Sequence, residues 1–400
     1  MSDPTVPALE EFREFVATWL KENAPTRPIA DNEIRTAGCE FQASLNEAGL
    51  AGLTWPTTYS GRGLSQEHLQ VYSEEADHFA LPNWMLGVSQ NMVGPTIIDL
   101  GTPEQKSRYL PRIVNGDDVW CQLFSEPGAG SDLAGLRTKA VKVDGGWRLN
   151  GQKVWTSAAQ YANCGVILAR TSPELPKHSG ITMFIIDMTQ PGVLVRPLRD
   201  MTGRSPFNEV FLTDALVGDD SVIGEVDAGW AAATTMLGHE RLSISRTRQN
   251  RSRGLSVEFL TSAMHRTGRN NDPIAKDRLA ELHVHERALQ LFNARLTQEV
   301  QAGIDPQSRG SIGKLSGALQ LLRAAALIGD VLGTAAVETD PEDSTWGDLQ
   351  LGINSAPANS IAGGTNEIQR SIISERVLGL PREPSADRGV PFNEIRTSRT

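Results

Sequence analysis

The sequence predicts an α+β fold in which a helical N-terminal region and a C-terminal helical bundle flank a compact all-β middle. Three observations predict it. Apolar residues recur at three-and-four spacing from Pro7 to about Asn115, the period shortens toward two between Val119 and about Ile223, and the helical period returns in long segments from Ala228. No βαβ alternation and no GxGxxG opening a helix is present, which argues against a Rossmann cofactor domain.

The first region begins with an apolar stripe of Ala8, Phe12, Phe15, Val16, Trp19 and Leu20. Trp55-Pro56 and the run from Tyr59 to Ser65 read as a loop between helices. Thr102-Pro103 gives a helix start, with the threonine as cap and the proline at the first helical position. In the middle, β-branched and aromatic runs at Val166–Leu168, Ile181–Ile186 and Val210–Leu212 are separated by turn residues at Asp144–Gly146, Pro191-Gly192 and Gly218–Asp220. Beyond it, Ala228 to about Arg266, Pro273 to Gln301 and Gln307 to Val337 suit a helical bundle. The tail from Arg382 is polar and proline-bearing, and is expected on the surface or draped on a partner. The domains expected are 1–118 (helical), 119–224 (β), 225–385 (helical) and 386–400 (tail).

Composition narrows the function. With 39% apolar and 22% charged residues over 400 positions, the chain can bury a sizeable core. A net charge of −10 argues against general nucleic-acid binding, which needs a basic face to displace counterions. Three cysteines without CxxC spacing argue against a disulfide framework or a zinc site. The N-terminus lacks a signal-type apolar segment and no run reaches roughly 18 apolar residues, so a cytoplasmic protein without a membrane span is expected. Any polyanionic ligand needs local positive sites, and Arg241, Arg246, Arg248, Arg251 and Arg253 crowd one segment.

Two loops stand out in the middle region. Phe124-Ser125-Glu126-Pro127-Gly128-Ala129-Gly130-Ser131-Asp132 carries three small residues, so its backbone can approach a ligand and turn amides toward phosphate oxygens. Asn150-Gly151-Gln152-Lys153-Val154-Trp155-Thr156-Ser157 sets an indole beside two hydroxyls at a strand end, a surface suited to an isoalloxazine ring. Either loop alone is more often an ordinary turn.

Together with Gly363-Gly364-Thr365-Asn366-Glu367-Ile368-Gln369-Arg370 and the run from Ile372 to Pro381, these loops resemble the acyl-CoA dehydrogenase family over nearly the whole chain. The resemblance implies N-terminal helices, a middle β-barrel and a C-terminal four-helix bundle, with FAD as cofactor and acyl-CoA as substrate. It further implies an electron-transfer flavoprotein or similar acceptor, and a homodimer or homotetramer, with a mixed oligomer as the alternative. The implied reaction moves an α-proton to a base and a β-hydride to flavin N5, giving a trans-2-enoyl-CoA. Phe124, Ser125 and Ser131 would contact the flavin through backbone and hydroxyls, Ser131 also the substrate. Trp155 and Ser157 would pack on the ring and hydrogen-bond near N5. Thr365 and Glu367 fall where the family reaches the cofactor from its last helical stretch.

The base is displaced from one branch of the family. There a glutamate directly precedes the Gly-Thr of the final motif, but here that position is Gly363, which retains only an amide for the thioester oxygen. The isovaleryl and long-chain branches place the glutamate on a helix before an arginine, and Glu240-Arg241 matches that pattern. Met236, Leu237 and Ile244 flank Glu240 on its helical face, so desolvation is expected to raise its pKa, while His239 points about 100° away. Arg241 matches a position contacting CoA. Two further departures concern the arginine on the flavin pyrophosphate, for which Arg269 is the candidate with Arg266 behind it, and a Gly-Gly-x-Gly segment replaced by Asp340–Gly347. They keep two alternatives open: a silent subunit of a mixed oligomer, or a flavin oxidase or monooxygenase on the same fold.

Overall fold

A computed structural model describes residues 6–27, 29–251, 253–337 and 344–395, with the side chains of 241–251, 253, 300, 301, 344 and 345 outside the description. The chain forms two compact units. The first takes in the chain up to Arg199, Ser205–Glu240 and the segment from Ser385; the second takes in Asp200–Arg204 and Arg241–Pro384.

The first unit opens with five helices, α1 (Leu9–Asn23), α2 (Ile34–Glu47), α3 (Gln66–Ala76), α4 (Gly94–Leu100) and α5 (Pro103–Asn115). In α1 the buried stripe is Phe12, Val16 and Leu20, one face at a spacing of four. Ala8 lies outside as the N-cap and Phe15 is 45% exposed, so the expected stripe was too wide at these two positions. The Thr102 cap is present as a reciprocal capping box with Gln105, and Pro103 occupies the first turn.

Eight strands follow: β1 (Trp120–Leu123), β2 (Lys139–Val143), β3 (Gly146–Ser157), β4 (Cys164–Arg170), β5 (Ile181–Asp187), β6 (Val193–Leu198), β7 (Phe207–Gly218) and β8 (Val222–Ile223). They pair in the order β6-β7-β3-β2-β4-β5-β8, with β1 parallel to β4. The hairpin expected at Asp144–Gly146 joins β2 to β3, where Gly145 takes the left-handed φ of 71° that a tight turn asks of it. Strand alternation builds two cores at once. Val166, Leu168, Met183 and Ile185 face the core shared with the N-terminal helices, whereas Ile167, Ala169, Phe184 and Ile186 face the barrel interior. Val193 and Val195 of β6 and Val222 of β8 pack on that same interior, so side chains close the barrel at its two edge strands.

Helix α6 (Gly229–Arg251) leaves the β-domain, and its opening residues Ala232, Ala233 and Met236 belong to the helical core of the first unit. The second unit packs α7 (Val257–Arg266), α8 (Pro273–Gln301), α9 (Gly310–Leu332) and α10 (Ser344–Asn359) around Leu260, Leu282, Val331, Leu332 and Leu349, and ends in α11 (Asn366–Ile372). The single helix expected from Ala228 to Arg266 is two helices. Ser256 caps α7 by accepting from the Phe259 amide at 3.2 Å, and Gly254 sits where a Cβ would lie 2.1 Å from the Asp348 carbonyl oxygen. One helical stretch, Gln307–Val337, is long and apolar enough by length and composition to cross a membrane, because its few charges do not outweigh its leucines and alanines. Within the second unit its Ala324, Val331 and Leu332 are core residues.

Candidate active site

The two loops of the middle domain are physically one structure. Lys153 of β3 is fully buried and donates to Glu126 Oε1 at 2.8 Å and to the Phe124 carbonyl at 3.0 Å. Glu126 also accepts from the amides of Thr138 at 2.8 Å and Arg137 at 2.6 Å. Burial alone would raise the Glu126 carboxyl, but the Lys153 ammonium and these donors hold it below the ordinary carboxylate value. A backbone bond from the Val154 amide to the Ser125 carbonyl, 2.9 Å, completes the join. Both residues of the ion pair lie inside the two motifs, yet nothing in the linear sequence pairs them, and no role was expected of either.

This join controls Trp155. The β3–β7 register slips between Lys153 and Thr156, and inside that bulge Trp155 adopts φ 60°, a left-handed conformation that costs an L-residue about 1–2 kcal/mol. The bulge turns the indole outward, 61% exposed, with an edge contact to Phe207 at 5.9 Å. The aromatic face at this strained residue is therefore presented to solvent rather than to the core. Opposite it in the motif pair, Gly128 and Gly130 are exposed with open space where a Cβ would stand, and Ser131 is exposed beside them. Phe124 buries its ring, so only its backbone is available, and its carbonyl is taken by Lys153. Ser157 ends β3 and is half-buried.

Glu240 stands on α6 four residues after Met236, which is fully buried, and is itself half-buried. Its neighbour His239 bonds through Nε2 to Asp99 Oδ2 of α4 at 2.9 Å, a structural tie between the helices. The side chains of Ile244, Arg241, Arg246, Arg248, Arg251 and Arg253 lie outside the described residues, as do residues 340–343 of the altered segment.

In the second unit, Gly363 and Gly364 take φ of 65° and 88°. Their carbonyls accept from Gln369 Nε2 at 2.8 Å and Lys314 Nζ at 2.5 Å, which fixes the turn before α11. Thr365 is the α11 N-cap, its hydroxyl accepting from the Ile368 amide at 3.2 Å. Glu367 is exposed in the first turn, where the helix-terminal amides and the Thr365 hydroxyl lower its pKa. Arg269 is ion-paired with Asp272 and donates to the Asp330 carbonyl at 3.1 Å, while Arg266 lies over the Trp346 ring at 5.6 Å.

This architecture is matched by family models for the acyl-CoA dehydrogenase N-terminal domain over residues 7–117, middle domain over 121–215 and C-terminal domain over 227–378. The chain belongs to the acyl-CoA dehydrogenase family, whose members are FAD-dependent oxidoreductases. It is 38% identical to the acyl-CoA dehydrogenase IpdE1 of Mycobacterium tuberculosis over 94% of this chain and 98% of that protein. It is 42% identical to acyl-CoA dehydrogenase FadE34 of the same organism over 85% of this chain, a match spanning only 46% of FadE34. Among solved structures, the Tcur3481-Tcur3483 steroid ACAD superposes with a TM-score of 0.81 at 29% identity, covering 96% of this chain and all of that one.

The first unit fits FAD on its own geometry. An outward indole offers a face for the ring, and the loop from Gly128 to Ser131 offers backbone and a hydroxyl unobstructed by side chains. Trp155→Gly separates binding from stability. Relief of the left-handed residue offsets loss of the Phe207 contact, so the FAD-free protein keeps its thermal stability to within about 1 kcal/mol. Losing about 80 Å² of ring contact at 25 cal/mol/Å² weakens FAD binding by about 2 kcal/mol, roughly 30-fold. Melting of the FAD-free form together with FAD titration checks both halves, and unaltered FAD affinity would remove Trp155 from the site.

Proposed function

We propose that this chain catalyses FAD-dependent α,β-dehydrogenation of an acyl-CoA carrying a bulky alicyclic acyl group, with Glu240 as the base. The observation that carries the reading is the pairing of a carboxylate on α6, directly beyond the buried Met236, with a final motif whose Gly363 has no side chain to take a proton. The α-proton goes to the Glu240 carboxylate. FAD, when bound, supplies the acceptor for the β-hydrogen and its electron pair, so that a trans-2-enoyl-CoA results. By the family resemblance, the Gly363 amide would donate to the thioester oxygen, Trp155 and Ser157 would hold the ring, and Ser131 would serve cofactor and substrate. By the same resemblance, Thr365 and Glu367 would contribute to cofactor binding, Arg269 to its pyrophosphate and Arg241 to the CoA. The steroid dehydrogenase at TM-score 0.81 supports the bulky substrate class.

Steady-state turnover and the visible spectrum test this directly. Purified protein is expected to carry the flavin band, to lose it on anaerobic addition of a steroid-side-chain acyl-CoA, and to bleach weakly with a short straight-chain thioester. Preference for the short chain would reject the substrate class.

A second reading has its own support. In the most apolar window of Gln307–Val337 only 33% of the residues are buried within the chain, as expected of a helix that buries its remaining face on another subunit, and the Tcur3481-Tcur3483 protein is named as a pair. In this reading the chain works in a mixed oligomer and passes electrons to an electron-transfer flavoprotein or similar acceptor. Absence of the flavin band from the chain purified alone, with its appearance on adding an unlike subunit, is the expected outcome.

A further inference from the structure

The described part of the tail lies on the surface, as expected, and is attached there to the β-domain of its own chain. Pro391 bridges to Pro176, the Phe392 amide donates to the Leu175 carbonyl and the Asn393 amide to the Pro173 carbonyl, both at 2.9 Å. This short β-like attachment is made to the β4–β5 loop, residues 171–180. What gives it significance is the ring of Phe392, which lies 3.8 Å from the Arg170 guanidinium carbon and 5.4 Å from that of Arg137.

Those two arginines belong to the cofactor loop's support. Arg170 is 3% exposed and donates to the carbonyls of Ala134 at 2.6 Å and of Lys177 and Ser179 at 2.9 Å, stapling the segment after Ser131 to the β4–β5 loop. The Arg137 amide is one of the donors to Glu126, whose partner Lys153 sits two residues from Trp155. An ionic link runs in parallel: Lys177 pairs with Asp132 of the cofactor loop at 3.1 Å and with Asp387 of the tail at 3.6 Å. The same β4–β5 loop also touches α6, through His178 edge-on to Trp230 at 4.9 Å. Tail, cofactor loop and base-bearing helix thus meet at one loop.

We propose that Phe392 is a positioning residue: the tail acts as a strap that holds the β4–β5 loop closed on Arg170 and so fixes the 128–137 segment in its binding conformation. This rests on the reading of that segment as a cofactor and substrate loop, but the strap itself is tested without turnover. Trypsin cleavage after Lys177 reports opening of the β4–β5 loop, because that carbonyl is held by Arg170 and the side chain is only 16% exposed.

In the full-length holoprotein, Phe392→Ala is expected to speed cleavage after Lys177 by about tenfold or more. It should also raise KM for acyl-CoA and loosen FAD while changing kcat by less than about threefold, as loss of uniform binding requires. Phe392→Tyr keeps a ring over the guanidinium and should restore both. Asp387→Ala, on the ionic link alone, should act in the same direction by a smaller factor. Unchanged cleavage in Phe392→Ala and Asp387→Ala overturns the strap. Faster cleavage with unaltered KM and FAD retention overturns the positioning role and with it the reading of the loop, while leaving the strap standing.

Discussion

Replacing Glu240 by Gln is expected to lower kcat/KM by roughly a thousandfold, within the 10²–10⁴ that a positioned general base contributes. The amide keeps the shape and the hydrogen bonds of the carboxylate but cannot accept the α-proton, so the loss falls on kcat and leaves substrate binding nearly intact. The position directly before the Gly-Thr of the final motif offers no carboxylate, because it is Gly363. The variant should remain yellow, since the residues assigned to the flavin are elsewhere. Were Glu240 a surface partner of an arginine, the same change would cost no more than about 1 kcal/mol of stability and leave turnover unaltered. Single-turnover bleaching beside the thermal midpoint separates the two outcomes.

The second large effect is on folding. Lys153→Met leaves Glu126 as a buried carboxylate without its counter-ion, and breaking such a pair costs about 3–5 kcal/mol. The deficit should depend on pH in a definite sense. In the wild type the Glu126 carboxyl is held low, so its contribution is complete above the ordinary value of 4.5 and is lost as the pH falls through the lower folded value. In Lys153→Met burial prevails and the folded value rises above the unfolded one, so the variant is least stable at neutral pH and recovers relative to wild type on acidification. Urea unfolding of the two proteins at neutral pH and near pH 4 measures this; a deficit that grows toward acid contradicts it. The same variant should lose FAD readily, because Lys153 joins the two loops.

The sequence was most legible where local rules decide structure. The helix cap at Thr102, the hairpin at Asp144–Gly146 and the strands around Val166, Ile181 and Val210 need only nearest neighbours to form, and all are present. The break before α7 was missed although Gly254 and Ser256 signal it, because an apolar period was followed across a glycine whose necessity lies in the distant Asp348 carbonyl. Phe15 was placed inside because periodicity marks a face but not its width. At the site, the motif positions were readable as residue types, whereas what orients them was not. The bulge that turns Trp155 outward defies the usual preference of bulky residues, and the pairing of Lys153 with Glu126 spans 27 positions. The docking of Phe392 on Arg170 crosses far more of the chain, and no composition rule separates such a tail from a solvated one.

The central claim is that the α6 carboxylate abstracts a proton from carbon. Deuterium wash-in from heavy water into the α-position of a tightly bound acyl-CoA, followed with FAD-replete protein and no electron acceptor, tests it most directly. Exchange in the wild type with at least about a hundredfold less in Glu240→Gln, both proteins retaining their flavin, is the predicted result. Equal exchange in the two would contradict the assignment and return the search for the base to other residues.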